Sequence, residues 1–293
     1  MKDEKEQTIA AVVVTYNRIK LLKECIQSIR TQTRVPEEII VVNNNSADGT
    51  LEWLDEQKDL TVITQQNLGG AGGFCTGIKT AYEKGYDWVW CMDDDVIPNK
   101  EALEELVKYK KSKRERIGFL ASRVLWTDGT QCVMNQYPPE EGEATDHASF
   151  VSILICREAI KTVGYPIKEF FIYYDGAEYT TRIAAKFNCY YVCSSVVVHK
   201  RKVNDTISWS KINIHNSDRY FYAIRNCIYF FRVRITKYGI LKSVIEIMMI
   251  SGRAFAGIII PAKPNKMKLL FKLLHHIYLG FIFNPTIETV NDP

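Results

Sequence analysis

Three consecutive carboxylates, Asp93, Asp94 and Asp95, stand directly behind the apolar run Trp88 to Met92. Like charges this close repel and raise one another's pKa unless a cation shares the site. Asp93 and Asp95, two residues apart at a strand end, can aim at one divalent ion. Their hard oxygen ligands suit Mg2+ or Mn2+, which keep open positions for phosphate oxygens. A solvated acidic turn is the plainer reading of a bare triplet; the strongly apolar strand ahead of it favours the ion. A second feature is the stretch Asn67-Leu68-Gly69-Gly70-Ala71-Gly72-Gly73. Its glycines permit close backbone approach to a ligand and leave helix N-terminal amides facing an anion. No Gly-Lys-Ser/Thr follows, so it is not a P-loop. It follows a third strand rather than a first, unlike the dinucleotide fingerprint.

These residues need a scaffold. Ile9 to Val14, Glu38 to Val42, Leu60 to Thr64 and Trp88 to Met92 are short apolar runs that read as buried strands. Between them, residues 19–33 carry Ile19, Leu22, Cys25, Ile26 and Ile29 at helical spacing, and a helix is expected from about Ala71 to Lys84. Ser46 and Asp48 are N-cap candidates for a short helix through Leu51 and Leu54. Strand and helix alternating at this spacing predict βαβ units and a parallel sheet, whose ligands bind at the C-terminal strand ends. Four polar clusters fall at those ends: Thr15-Tyr16-Asn17-Arg18, Asn43-Asn44-Asn45-Ser46, Gln66-Asn67-Leu68-Gly69-Gly70 and the aspartates. They should converge on one edge of the sheet. Further on, Ile117 to Trp126, Ser149 to Cys156 and Cys189 to Val198 read as strands, the last ending at His199. Tyr137 to Asp146 reads as a mobile loop and Asp175 to Phe187 as a helix. Helices are expected at roughly 216–234, 238–256 and 266–281.

The 293 residues, 46% hydrophobic and 25% charged, fit one large α/β domain or a domain of about 200 residues with an appendage. Met1 to Thr8 is almost wholly polar and is expected to be disordered. The net charge of +4 is unevenly spread: from Arg219 to Phe283 eleven basic residues face the single acid Glu246, a net +10, which leaves −6 for the rest. Such a block is either a docking surface for something anionic or a solvated basic face. Eight scattered cysteines without a CxxC pair suggest buried, reduced thiols in a cytosolic protein. The polar N-terminus argues against a signal peptide. No run of 18 apolar residues argues for a membrane span.

Val-Val-Val-Thr-Tyr-Asn-Arg, Ile-Ile-Val-Val-Asn-Asn-Asn-Ser-Ala-Asp-Gly-Thr, Asn-Leu-Gly-Gly-Ala-Gly-Gly-Phe and Asp-Asp-Asp, in this order and spacing, resemble the family 2 glycosyltransferases with the GT-A fold. Within them the chain is most similar to the galactofuranosyltransferase and rhamnosyltransferase-like branch. The resemblance is strong over residues 9–98 and weaker through Phe170 to Tyr179, Val198-His199 and Arg219 to Asn226. Beyond about residue 235 it is only one of general character. It implies an α/β GT-A architecture: a mostly parallel central sheet flanked by helices, with a C-terminal helical extension. Residues 1–215 would form the nucleotide-sugar-binding and catalytic domain. Residues 216–293 would form a basic, helical region making acceptor, membrane-surface or oligomer contacts.

The resemblance also implies roles. Thr15, Asn17 and Arg18 would border the nucleotide, Asn44 and Asp48 the base and ribose, and Asn67 and Gly70 the donor. Asp93 and Asp94 would join the donor site, and Asp93, Asp95 and His199 would hold Mn2+ or Mg2+. The implied function is inverting transfer of a sugar, galactofuranose or rhamnose favoured, from a UDP- or dTDP-sugar to a glycan or lipid-linked glycan in cell-surface polysaccharide synthesis. The reduced cysteines and the basic C-terminal block, interleaved with apolar residues from Lys237 to Phe283, suggest a cytoplasmic place, peripheral on the inner face of the membrane, with an anionic membrane surface and a homo-oligomer as further expected partners and no nucleic acid. The chain departs from the branch at one point: where two adjacent acids are expected ahead of a glutamate, the second is Gly176, leaving Asp175 and Glu178 as catalytic acids. Helix N-terminal charge stabilisation would also account for this pair. The departure opens an alternative, a non-catalytic nucleotide-sugar or glycan-binding homologue. A nucleotidyltransferase is disfavoured, because Thr15 to Arg18 is not a glycine-rich loop. Trp126 and Trp209 suit sugar stacking or the core equally.

Overall fold

The computed structural model describes residues 7–113, 115–135, 142–261 and 263–290. Most of the polar N-terminal stretch and the Tyr137, Pro138 and Pro139 part of the expected loop lie outside these. The described chain clusters into two compact units. Unit 1 is Met1–Glu169, Gly176–Asn204 and Ile287–Pro293, and unit 2 is Phe170–Asp175 and Asp205–Thr286.

Unit 1 is a mixed eight-stranded sheet between helices. In chain order its elements are β1 (Ile9–Thr15), α1 (Ile19–Arg30), β2 (Glu38–Asn43), α2 (Thr50–Asp55), β3 (Leu60–Thr64), α3 (Gly69–Glu83), β4 (Trp88–Asp93) and β5 (Val96–Pro98). There follow α4 (Ala102–Ser112), β6 (Ile117–Leu125), β7 (Ile153–Cys156), α5 (Arg157–Val163), α6 (Asp175–Ala184) and β8 (Asn188–His199). The strand order is β3-β2-β1-β4-β7-β6-β8-β5. The four strands β1 to β4 pair in parallel, as does β6 with β8, while β7 and β5 run antiparallel to their neighbours. The continuous apolar runs are explained by burial on both faces. In β1, Ala10, Val12 and Val14 join the core under α3, whereas Ile9, Ala11 and Val13 join the core under α1 and α4.

The register delivers the expected convergence. Thr15 lies beside Asn43, Asn43 beside Thr64, and Val14 beside Asp93, so the polar ends of four strands share one edge. Across the sheet Val96 pairs with His199, which brings the end of β8 to the residue following Asp95.

Ser46 and Asp48 do not cap α2. Its N-cap is Gly49, in the left-handed region at φ 85°, with no side-chain cap. Ser46 accepts instead from the Asn17 N–H at 2.9 Å, and Asp48 from the Ile19 N–H at 2.9 Å. The orphan amides at the start of α1 claim these oxygens, so the second strand end caps the helix that follows the first.

The glycines of α3 are packing residues first. A Cβ on Gly73 would sit 2.4 Å from Val14 Cγ1, and one on Gly77 2.3 Å from Val12 Cγ1. Bare backbone lets α3 press directly on β1. Unit 2 holds α7 (Ser217–Val233), the short α8 (Ile235–Tyr238), α9 (Ile240–Ile259) and α10 (Lys266–Ile282), built on its own core around Phe221, Ile224, Ile228, Ala254 and Leu269. No helix among the described residues is long and apolar enough to cross a membrane. None of the eight cysteines is in a disulfide.

If this contact sets the helix–sheet distance, Gly77→Ala should destabilise the protein despite alanine's better helix propensity, worth ~1 kcal/mol. The methyl group has no room beside the fully buried Val12, so a net loss of about 1–2 kcal/mol is expected from overpacking. Urea denaturation checks this, and a stability equal to or above wild type would refute it.

Candidate active site

The three aspartates are sorted by their partners. Asp94, buried, turns toward β1: it accepts from Thr15 Oγ1 at 2.7 Å, Arg18 Nη1 at 3.2 Å and, at 3.4 Å, the Tyr16 N–H. Asp95, also buried, accepts from Arg18 through Oδ2, while its Oδ1 lies 3.1 Å from His199 Nε2. The His199 imidazole is the near partner of that Oδ1. Asp93 is half-buried. One ligand atom each from Asp93, Asp95 and His199 lie within 4.8 Å of one another. Two carboxylates and an imidazole match the donor set of a divalent cation.

Burial, followed by the charge on Asp95, pushes the Asp93 carboxyl up to about 7. Burial lifts Asp94 to about 6 against the pull of Arg18. For Asp95 burial also works upward, but His199 and Arg18 outweigh it and hold the group below its ordinary value. His199 rises to about 9: burial opposes its charge, and Asp95 and Cys132 overcome that. On the other side of the ring, His199 Nδ1 lies 3.3 Å from Asn135 Oδ1, and Asn135 Nδ2 donates to Ser149 Oγ. This outer chain fixes the ring that faces the aspartates. Nothing in the sequence marks Cys132, Asn135 or Ser149, which sit in an irregular stretch and meet His199 only through the fold.

The remaining expected donor residues lie along the same strand ends. Asn17, at φ 54°, accepts the Ala47 N–H at 2.7 Å and so ties the first strand end to the second. Asn44 is buried; it donates to the Gly69 carbonyl at 3.0 Å and accepts from Gln65 Nε2 at 2.8 Å. Asn67 is exposed and takes the Gly69 N–H at 3.0 Å, starting α3, in whose first turn Gly70 sits half-exposed. Asn67 and Asn44 thus shape the glycine turn from both sides. Gln65, which also accepts from Thr76 Oγ1 at 2.7 Å, was not singled out from sequence. Trp126 and Trp209 are both half-buried, and the Trp126 indole N–H is taken by the Arg201 carbonyl at 3.0 Å.

Asp175 and Glu178 have different surroundings. Glu178 is buried, and both of its carboxylate oxygens accept from Arg182 Nε, at 3.0 and 3.1 Å. Arg182 also donates to the Val163 and Tyr165 carbonyls, so the pair ties α6 to the end of α5. Asp175 is half-buried at the start of α6. It follows a segment in which Phe171, Tyr173 and Tyr174 all have left-handed φ, 63°, 68° and 62°. Such residues cost roughly 1–3 kcal/mol each and persist only where the surroundings hold them. Asn226, fully buried on α7, supplies that hold within unit 2: its Nδ2 lies 2.9, 3.0 and 2.8 Å from the carbonyls of Phe170, Ile172 and Tyr173. Gly176 is enclosed by backbone: a Cβ there would lie 2.9 Å from Ser149 Cα and 3.1 Å from Ala148 O and Phe150 N.

The fold is that of the GT-A glycosyltransferases. A mannosyltransferase from Pyrobaculum calidifontis, in complex with GDP-Man and Mn2+, superposes with a TM-score of 0.55 over 95% of this chain and 85% of that one, at 15% identity. Residues 1–349 of Staphylococcus aureus TarS, in complex with UDP-GlcNAc, give 0.56 over 92% and 89%, at 13% identity. Residues 10–130 match the family model described as glycosyl transferase family 2. Galactofuranosyltransferase GlfT1 of Mycolicibacterium smegmatis is 37% identical over 94 residues, 31% of each chain. The poly-beta-1,6-N-acetyl-D-glucosamine synthase of Staphylococcus aureus strain COL is 30% identical over 98 residues, 32% of this chain and 23% of that one. The chain thus spans about a third of the length of the GlfT1 relative.

Two predictions follow from this geometry. A cation must displace the protons of Asp93 and His199, so binding releases protons and strengthens as pH rises through about 7 toward about 9. Mn2+ titrated calorimetrically in buffers of different ionisation enthalpy should bind at least about a hundredfold tighter at pH 8 than at pH 6, and a flat profile would contradict the assignment. The cation-free protein should show the opposite trend. Asp93 binds its proton more tightly folded than unfolded, so its contribution to stability falls as pH rises from the ordinary carboxylate range to about 7. Secondly, Gly176→Asp should lower stability by about 3 kcal/mol, because backbone, not a flexible side chain, fills the space. A thermal melt at or above the wild-type Tm would show that the space opens.

Proposed function

We propose that the chain is an inverting glycosyltransferase that moves a hexose from a nucleotide-diphosphate sugar to a glycan or lipid-linked glycan acceptor in cell-surface polysaccharide synthesis. Galactofuranose or rhamnose from a UDP- or dTDP-sugar is the favoured donor reading, in line with the GlfT1 relative. The observation that carries the proposal is the cluster of Asp93, Asp95 and His199 at an edge where the ends of β1, β2 and β3 also gather polar side chains. Asp93, Asp95 and His199 would hold Mn2+ or Mg2+, and that ion supplies Lewis-acid neutralisation of the leaving diphosphate. Thr15 and Arg18 hold Asp94 and Asp95 in place, and with Asn17 they border the nucleotide. Asn44, Asp48, Asn67 and Gly70 shape the rest of the donor site.

Inversion needs a base for the acceptor hydroxyl on the sugar face opposite the leaving group. Asp175 is assigned that role, on a backbone held by Asn226. Glu178, engaged by Arg182, is assigned to keeping α6 in place. A second reading is a non-catalytic nucleotide-sugar or glycan-binding homologue. Gly176 favours it, since the enclosing backbone leaves no room for the acid expected there.

Thermal unfolding with UDP, dTDP, GDP and CDP, with and without Mn2+, tests the donor site. A nucleotide at 100 times its Kd stabilises by about 2.7 kcal/mol, roughly 5 °C for a protein this size. A metal-dependent shift for UDP or dTDP is expected; no shift with any nucleotide would sink the donor assignment. Asp175→Asn should then cut transfer by at least about a hundredfold while the nucleotide shift is kept. A metal-dependent shift without turnover in the wild type would favour the non-catalytic reading.

A further inference from the structure

Helices α9 and α10 are apolar on two sides. Inward, Ala254, Ile258, Leu269 and Leu273 build the core of unit 2, and Gly280 of α10 lies against Ile228 of α7. Outward, α10 presents Met267, Phe271, Leu274, Tyr278 and Phe281, each more than half exposed. Their spacing of four, three, four and three residues is a continuous helical stripe. On α9, Ile240, Val244 and Met248 repeat every fourth residue beside Leu241, Ile245 and Met249, all exposed. Of the 21 large apolar side chains exposed among the described residues, 16 belong to unit 2. A solvated helix does not carry such a second stripe, and exposed apolar surface on this scale marks an interaction site.

Charge identifies the occupant. From Ile235 onward to Phe283 the basic residues number seven and Glu246 is the lone acid. Lys242, Arg253 and Lys268 are exposed on the same two helices as the apolar stripes. Two copies pairing about a twofold axis would set this basic surface against itself, which opposes a homodimer. Neither helix can span a bilayer. A helix with apolar side chains beside lysine and arginine, too polar to span, is suited to lie in the plane of an interface.

We propose that the α9–α10 surface docks on an anionic lipid bilayer, its exposed stripes entering the headgroup and acyl boundary while Lys242, Arg253 and Lys268 meet lipid phosphates. The proposal does not depend on sugar transfer. Flotation of the full chain with vesicles of phosphatidylcholine alone, and of phosphatidylcholine mixed with phosphatidylglycerol, tests it. Two double variants complete the experiment: Phe271→Ser with Leu274→Ser, and Lys242→Glu with Lys268→Glu. All four positions are exposed or face solvent, so both should melt at the wild-type Tm. The wild type should float with the mixed vesicles, bind neutral ones weakly and be released by salt. Each variant should bind the mixed vesicles at least about tenfold more weakly. Equal binding to neutral and anionic vesicles, or binding to neither, would overturn the proposal. So would light scattering that shows a dimer, dispersed by Phe271→Ser, in a protein that ignores both vesicles.

Discussion

Three carboxylates in succession at the end of a buried strand repel one another in a medium that screens poorly, and most of unit 1's edge is arranged around relieving that. The relief is divided. Asp94 is answered by the hydroxyl and guanidinium at the end of β1. Asp95 is answered by the same guanidinium and by the imidazole at the end of β8. Asp93 is left with its charge disfavoured at neutral pH. A surface ion pair is worth little, but here the partners are drawn from strands distant in sequence, so the electrostatics can be satisfied only if the sheet is correctly assembled. The constraint that makes the edge chemically useful also specifies the fold around it.

The glycine-rich turn shows how one motif serves two purposes. Its helical glycines remove side chains so that α3 can rest on Val12 and Val14, and the turn before them is shaped by Asn44 and Asn67. Both follow from one spatial fact: the helix must start very close to the strand ends. Lowering the helix onto the sheet brings its first turn to the edge where the carboxylates gather.

Much of this was legible in the sequence because apolar runs bounded by polar clusters describe buried parallel strands directly. The first four strands and both long helices between them fall where the periodicity places them, and the polar ends converge as expected. Other features were not legible, for physical reasons. The caps differ from expectation because Ser46 and Asp48 serve a helix from a different part of the chain. The Asn135 and Ser149 support of His199 arises only when an irregular segment folds over β8. The short β5, α4 and α5 leave no mark in the sequence, since three to eleven residues without a clean apolar period do not announce themselves. Gly176 is the sharpest case: in the sequence it is an acid that is missing, whereas in the structure it is a space already filled by other backbone. Exposure was equally hidden, for a leucine on the outer stripe of α10 looks the same in sequence as one in the core.

The return of residues 287–290 to unit 1 has a consequence for synthesis. The Glu288 carbonyl accepts from the Tyr165 N–H at 2.9 Å and its side chain pairs with Lys79. Unit 2 is therefore an insertion between parts of unit 1 rather than an appendage to it. During vectorial translation the sheet and its helices emerge first, but this closing segment is made only after every helix of unit 2 has been synthesised. Unit 1 must wait in an unfinished state, with the Tyr165 amide unclaimed by its final partner, while some eighty intervening residues are added. At the usual synthesis rates of about 5–20 residues per second that wait lasts several seconds, long compared with the folding of its own local elements.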